Sequence, residues 1–442
     1  MHARGARFVS FVIVAALVAA CSNAASGGSR SAPTHGTSDA PTSGRASTGT
    51  FPAVDQPGVT ATEIRVSGVA SKTNPLGVPN GSAFDGVQAY FDMLNSKGGI
   101  YGRKLVLAQR HDDQLVNNRS EVQAILSEDH PFAVLPVSTT LFNGADLLAK
   151  AGIPTFGWNA QDEWAGPPNF FAQIGALCLS KDCVGPTFAA LAHRFHKTRI
   201  AVLAYNVAQS ANCLDMIVAS FQKFENPAQV VFADKSLAFG VTDVSADVKR
   251  MIDKKVDFVT TCVDTNGNLT IAREMRQQGL RAQMFLPNAY NPDFMAKNGS
   301  FFEGDVVLVQ EAPIETRPLF PALKNFITWM DKDGFQKNEN SLIGWVNADE
   351  LVTGLRAAGP SFTQQKVIDA LNHMTAYDAD GLIGPIDWTR QHTDKNPPIS
   401  CGAFLEVHDG KFVPKYGDPG KPLLCTKGGG TSVTDIPSFT RQ

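Results

Sequence analysis

The side chains whose chemistry is easiest to narrow are six cysteines, Cys178, Cys183, Cys213, Cys262, Cys401 and Cys425, with a seventh, Cys21, near the N-terminus. They could oxidise in pairs to disulfides or bind a metal through their thiolates. No C-x-x-C and no paired histidine spacing accompanies them, which favours bridges over a metal site. Sequence proximity favours Cys178 with Cys183 and Cys401 with Cys425, leaving Cys213 to find Cys262, although six cysteines admit many other pairings. His111-Asp112-Asp113 has the residue types of a catalytic cluster, but it follows a strand pattern and reads more readily as a polar turn. His193 and His196 fit the solvated face of an amphipathic stretch better than a metal site. The chain carries no G-x-S-x-G elbow, P-loop or H-E-x-x-H, so hydrolase, nucleotide and zincin chemistry have no motif to stand on. The glycines at 428–430 lie in a polar tail rather than between a strand and a helix. No cofactor and no metal are expected.

The elements that must position any site alternate between two periodicities. Glu63-Ile-Arg-Val-Ser-Gly-Val-Ala70 reads as a buried first strand. From Ser82, the residues Phe84, Val87, Phe91 and Leu94 share one helical face, and Gly98-Gly99 end it. Strands at 104–108, 132–137 and 153–157 then alternate with helices at 120–127 and 144–150. A second series follows from about Leu177, with strands at 199–204, 230–233 and 257–262 and helices at 184–195, 212–224, 243–254 and 269–278. Alternation of this kind implies parallel sheets covered on both faces. In such open sheets ligands bind beyond the carboxyl ends of the strands.

The ends of the chain bear on location. Arg4 and Arg7 precede an apolar run, Phe8 to Val18, of about eleven residues, far short of the roughly 20 that cross a bilayer. With the small residues that follow, this is the layout of a secretory signal over residues 1–20. Val18-Ala19-Ala20-Cys21 resembles a bacterial lipobox, in which the cysteine thiol is acylated and cleavage leaves it N-terminal; an ordinary signal with an incidental cysteine is the alternative. Residues 21–58, rich in Ser, Gly, Thr, Ala and Pro, have little to bury and read as a flexible tether. An exported body permits disulfides. About 385 residues remain beyond the tether, more than one core usually fills, so two lobes are expected. The formal charge of −3 and the absence of a basic block argue against a nucleic-acid partner.

Several segments then resemble, in order and spacing, the Leu/Ile/Val-type solute-binding proteins of ABC importers. They are Ile64-Arg-Val-Ser-Gly with Phe84-Asp-Gly-Val87, Asn95-Ser-Lys-Gly-Gly-Ile-Tyr-Gly-Arg-Lys104, Ala282-Gln-Met-Phe285, Phe302-Glu-Gly-Asp-Val306, the helix from Ala348 to Gly359, and Gly384-Pro-Ile-Asp-Trp388. The resemblance implies the type I periplasmic-binding fold: two Rossmann-like α/β lobes with parallel central sheets, joined by a three-crossover hinge that closes on ligand. On that basis lobe 1 comprises residues 59–175 and 304–378, lobe 2 comprises 176–303 and 379–425, and 426–442 form a tail. It also implies a monomeric receptor on the extracytoplasmic face of the cell membrane, held by a lipid on Cys21, that delivers a small solute to an ABC permease and its ATPase subunits. A sensing receptor of the same fold and an exported α/β enzyme are the alternative readings.

The resemblance further implies a ligand set. Ser138, Thr139 and Thr140 fall where the family holds a carboxylate through hydroxyl and backbone N–H donors, although a helix N-cap would use the same residue types. Asn159 occupies the place of a second polar contact, beside the aromatic Trp158. Lobe 2 departs from the pattern, with Ser210 and Asp264 where amino-acid binders carry tyrosines and Asn288 where they carry the acid for the α-ammonium. A buried ammonium without a carboxylate partner is costly. Either Asp264 supplies that acid from a neighbouring position, or the solute is a carboxylic acid, amide or polyol-like molecule met by Ser210, Asp264 and Asn288.

Overall fold

The computed structural model describes residues 51–175, 184–224, 227–287, 289–390, 392 and 399–427. Strand β1 (Glu63–Ala70), rich in β-branched residues and buried from Val66 onward, forms where the sequence places it. Helix α1 (Ser82–Ser96), β2 (Lys104–Asp112), α2 (Asn118–Ala124), β3 (Ala133–Ser138), α3 (Ala145–Ala151), β4 (Thr155–Gly157) and β5 (Phe170–Ala172) follow. Their strands form one five-stranded parallel sheet in the order β2-β1-β3-β4-β5. β3 is buried along its whole length, as a central parallel strand covered on both faces must be.

The second lobe begins with α4 (Thr187–Arg194), β6 (Arg199–Tyr205), α5 (Ala208–Lys223), β7 (Gln229–Leu237), α6 (Ser245–Asp253), β8 (Phe258–Cys262), α7 (Thr265–Gln277), β9 (Gln283–Leu286), α8 (Pro292–Asn298) and β10 (Val306–Val309). The chain then returns to the first lobe as α9 (Pro321–Lys332), α10 (Glu339–Ala358) and α11 (Gln364–Asn372), where α10 packs on α1 and β3. It finishes in the second lobe as β11 (Ile399–His408), β12 (Lys411–Pro414) and β13 (Leu424–Lys427). The second sheet has eight strands, ordered β12-β11-β10-β9-β8-β6-β7 with β13 on β11. β6 to β10 run parallel, and β11 to β13 add an antiparallel edge.

The chain therefore crosses between lobes three times, as the resemblance implies. The return crossing comes later than residue 304. The apolar run Val306–Val309 pairs with β9 on one side and β11 on the other, so it is a second-lobe strand. The last crossing is later than 378 as well, because the turn Ala379–Gly381 packs on α9 and α10 and Trp388 stacks edge-on against Phe171. Disulfides join Cys213 to Cys262, pinning α5 to the end of β8, and Cys401 to Cys425, pinning β11 to β13. Cys21, Cys178 and Cys183 lie outside the described residues.

Candidate functional site

The strand ends of the two sheets converge. On the first lobe, the loop after β1 brings Ser71 against the end of β3: the Ser71 N–H donates to the Ser138 carbonyl at 3.0 Å, and Thr140 N–H donates to Ser71 Oγ at 3.0 Å. Thr139 Oγ1 donates to Asp113 Oδ2 at 2.5 Å, and that buried carboxylate also accepts from Leu115 N–H and Asn118 Nδ2. Ser138 Oγ donates to Asn340 Oδ1 at 3.1 Å, tying β3 to the first turn of α10. Thr140 Oγ1 accepts from Asn80 Nδ2 at 3.3 Å.

Asn159, fully buried just past β4, donates its N–H to Gln173 Oε1 at 2.9 Å and its Nδ2 to the Gly175 carbonyl at 3.1 Å. The three hydroxyl residues and Asn159 are thus brought to one wall, in a network that holds the loops in place and engages the hydroxyls of Ser138 and Thr139 and the Asn159 amide as donors and the Thr140 hydroxyl as an acceptor. Trp158, half-buried, sits beside them.

On the second lobe, Ser210 Oγ donates to the Cys262 carbonyl at 2.5 Å and accepts from Tyr205 N–H at 2.8 Å, stitching α5 to β6 and β8. Asp264 caps α7, its Oδ1 accepting from Asn266 N–H at 2.8 Å and Gly267 N–H at 3.1 Å, while its Oδ2 accepts the Tyr205 hydroxyl. Burial first, and then the Asp264 carboxylate, raise the pKa of Tyr205. Asn288 lies outside the described residues.

The lobes meet across this cleft. Asn266 Nδ2 donates to the Pro75 carbonyl at 3.1 Å, Gln173 Nε2 to Gln310 Oε1 at 3.2 Å, and Glu339 N–H to the Tyr290 carbonyl at 3.4 Å. Two acids that the sequence reading passed over stand here. Glu311 follows β10 and is fully buried, and burial pushes its carboxyl up to about 8. Glu339 opens α10, and burial followed by the nearby Glu311 charge raises it well above the usual carboxylate range. The signal for Glu311 was present: it sits just past an apolar strand, the position that matters in an open α/β sheet. Placing that strand in the first lobe hid it. Asn338, three residues before Ser341, marked the α10 N-terminus, and the two form a capping box.

A profile described as periplasmic binding protein matches residues 63–411. The chain belongs to the periplasmic binding protein family. Among curated relatives it is 24% identical over 365 residues to the leucine-specific-binding protein of Salmonella typhimurium, covering 80% of this chain and 93% of that one. Among solved structures it is similar to a branched chain amino acid ABC transporter protein from Thermus thermophilus with bound valine (TM-score 0.67, 18% identity, 84% of this chain and 97% of the other). It is also similar to a solute-binding protein of R. palustris in complex with benzoate (TM-score 0.64, 15% identity, 82% and 97%). For a periplasmic binding protein the two facing walls are the parts that matter, and here both are built from residues just beyond the strand ends. Among the described residues no group of three or more His, Cys, Asp or Glu is arranged to hold a metal ion, and no helix is long and apolar enough to cross a membrane.

Proposed function

We propose that this periplasmic binding protein is a receptor for a small polar solute, an amino acid, amide or carboxylate, which it captures between its lobes and passes unchanged to an ABC permease and its ATPase subunits. The observation that carries this reading is the cleft itself, lined from both lobes by polar side chains at strand ends and spanned by three chain crossings. Relatives bound to valine and to benzoate support the solute range. We further propose that Cys21 carries a lipid and that the segment after it tethers a monomeric body at the extracytoplasmic face of the membrane; the tether ends before residue 58, because Phe51 packs on Tyr101 and Gln56 accepts from Gln364 N–H. The features supporting that are the positively charged start, the short apolar run and the small residues before Cys21.

A thermal-shift screen of amino acids, amides and carboxylates tests the receptor reading, because a ligand that binds only the native state raises its stability by mass action. At least one solute should raise Tm in proportion to the logarithm of its concentration and be recovered chemically unchanged. Recovery of a converted product would overturn it. For the anchor, metabolic labelling with a radioactive fatty acid should mark the wild-type chain and not Cys21→Ala.

A further inference from the structure

The second sheet has a hollow at the edge that faces away from the cleft. Its strands β6, β8, β9 and β10 run parallel, so Lys197, Ala282 and Asp305, which precede β6, β9 and β10, lie at the amino edge, whereas the cleft lies at the carboxyl edge. There the end of α7 and the turn Gly299–Phe301 help to enclose a cavity of about 690 Å³, a volume in the range of small-molecule sites. Met275, Met284 and Phe301 give it apolar walls, and Lys197, Arg276 and Arg281 bring three cations.

Those cations are not consumed by the protein. Arg276 and Arg281 are exposed and Lys197 is half-buried, and among the described residues none of the three stands in an ion pair. Arg276 lies over the Phe301 ring, its guanidinium carbon 5.4 Å from the centroid. The two acids at the cavity are engaged elsewhere. Glu303 meets His408 Nδ1 at 2.9 Å and accepts the Asp409 N–H at 3.0 Å. Asp305 is buried and accepts the Met284 N–H at 2.7 Å, and burial raises its pKa well above the usual carboxylate range although that bond, Arg276 and Lys197 all pull it down. The carbonyl end of α7, which would repel an anion, is closed by the chain itself, since Gly279 turns left-handed and the Leu280 N–H donates to the Met275 carbonyl at 2.8 Å.

A concave site with one sign of charge in surplus and apolar walls concentrates counter-ions that carry an apolar group. We propose that this cavity is a second ligand site, separate from the cleft, and that it binds a small organic anion. Lys197, Arg276 and Arg281 meet the charged group, while Met275, Met284 and Phe301 cover an aryl or alkyl part. The assignment does not depend on what the cleft holds.

The test titrates the full chain with 4-bromophenyl phosphate by isothermal titration calorimetry. The probe should bind, and added sodium chloride should weaken it, because the cations stand at the surface. Lys197→Gln combined with Arg281→Gln should weaken binding roughly tenfold or more, through the loss of two charge-assisted contacts. The same pair of substitutions should leave the Tm of the ligand-free chain within about a degree or two of the wild type, since surface changes away from partners cost little. Inorganic phosphate and 4-bromobenzyl alcohol, which each carry half of the recognised chemistry, should bind roughly tenfold or more weakly than the probe. In a soaked crystal of the wild type, the bromine anomalous peak should lie beside Phe301. Absence of binding, binding that the double variant leaves unchanged, inorganic phosphate binding as tightly as the probe, or a bromine peak in the cleft alone each overturns the inference.

Discussion

The Tyr205 hydroxyl donates to Asp264 Oδ2, so one carboxylate both ends β6 and begins α7. Its other oxygen accepts two backbone N–H groups that the helix cannot satisfy itself. Asp264→Ala removes the cap and strips the buried tyrosine of its acceptor, which should cost about 1–3 kcal/mol. Asp264→Asn keeps an oxygen for the cap and should cost clearly less. Urea denaturation of the two variants measures this, and equal losses would mean that the cap contributes nothing.

A second prediction concerns the seam that lets the returning helices rejoin the first lobe. Gly86 of α1 and Gly344 of α10 let the two backbones touch. A Cβ at Gly86 would lie 1.9 Å from the Ser341 carbonyl oxygen, and one at Gly344 would lie 1.9 Å from that of Ala83. Backbone atoms cannot rotate away, so the helices must separate. Gly344→Ala should destabilise by about 3 kcal/mol or more, above the usual overpacking range. A crossing of α1 and α10 this close also positions Asn338 and Asn340, which reach Ser82 and Ser138. Thermal unfolding of Gly344→Ala within a degree or two of the wild type would sink the argument.

Much of this was legible in the sequence, and the exceptions have physical causes. β1 was readable to the residue because its period-two and β-branched signals coincide with burial from Val66 to Ala70. β5 was not, since Phe170–Ala172 is too short to show a period. β10 was recognisable only as an apolar run, and nothing local says which sheet an apolar run joins. The site divides in the same way. The family resemblance pointed to Ser138, Asn159 and Asp264 near strand ends, but whether each side chain is free or committed depends on partners far along the chain, such as Asn340 for Ser138. Glu311 was hidden because its strand was assigned to the other lobe.

The disulfides carry a third prediction. Cys213 and Cys262 close a loop of 49 residues, and Cys401 and Cys425 one of 24. In the chain-entropy account these restrict the unfolded state by about 4 and about 3.5 kcal/mol. Removing the first by Cys213→Ser with Cys262→Ser should therefore lower stability by no less than removing the second. It should also loosen the link between α5 and β8, to which Ser210 is bonded. Denaturation midpoints of the two double variants decide the order, and a larger loss at Cys401–Cys425 would show that strain or unfolded-state structure dominates.

His111 yields a pH dependence with a definite sign. The ring on β2 stands between two carboxylates, Nδ1 at 2.7 Å from Glu121 Oε2 and Nε2 at 2.9 Å from Asp129 Oδ2. Burial works against the charged ring, but the hydrogen bonds to Glu121 and Asp129 and the attraction of both carboxylates outweigh it, so the pKa is raised above 6.5. A folded value above the unfolded one means that the native state holds the proton more tightly. The stabilisation is then complete below the unfolded pKa and is lost as pH rises through the folded one. Comparing wild type with His111→Gln in urea at pH 5.5 and pH 8.5 isolates this from every other titrating group. The wild type should lead by more at pH 5.5, and the lead should shrink at pH 8.5. A lead that is constant or grows with pH would mean that the folded protein holds the ring's proton no more tightly than the unfolded chain does.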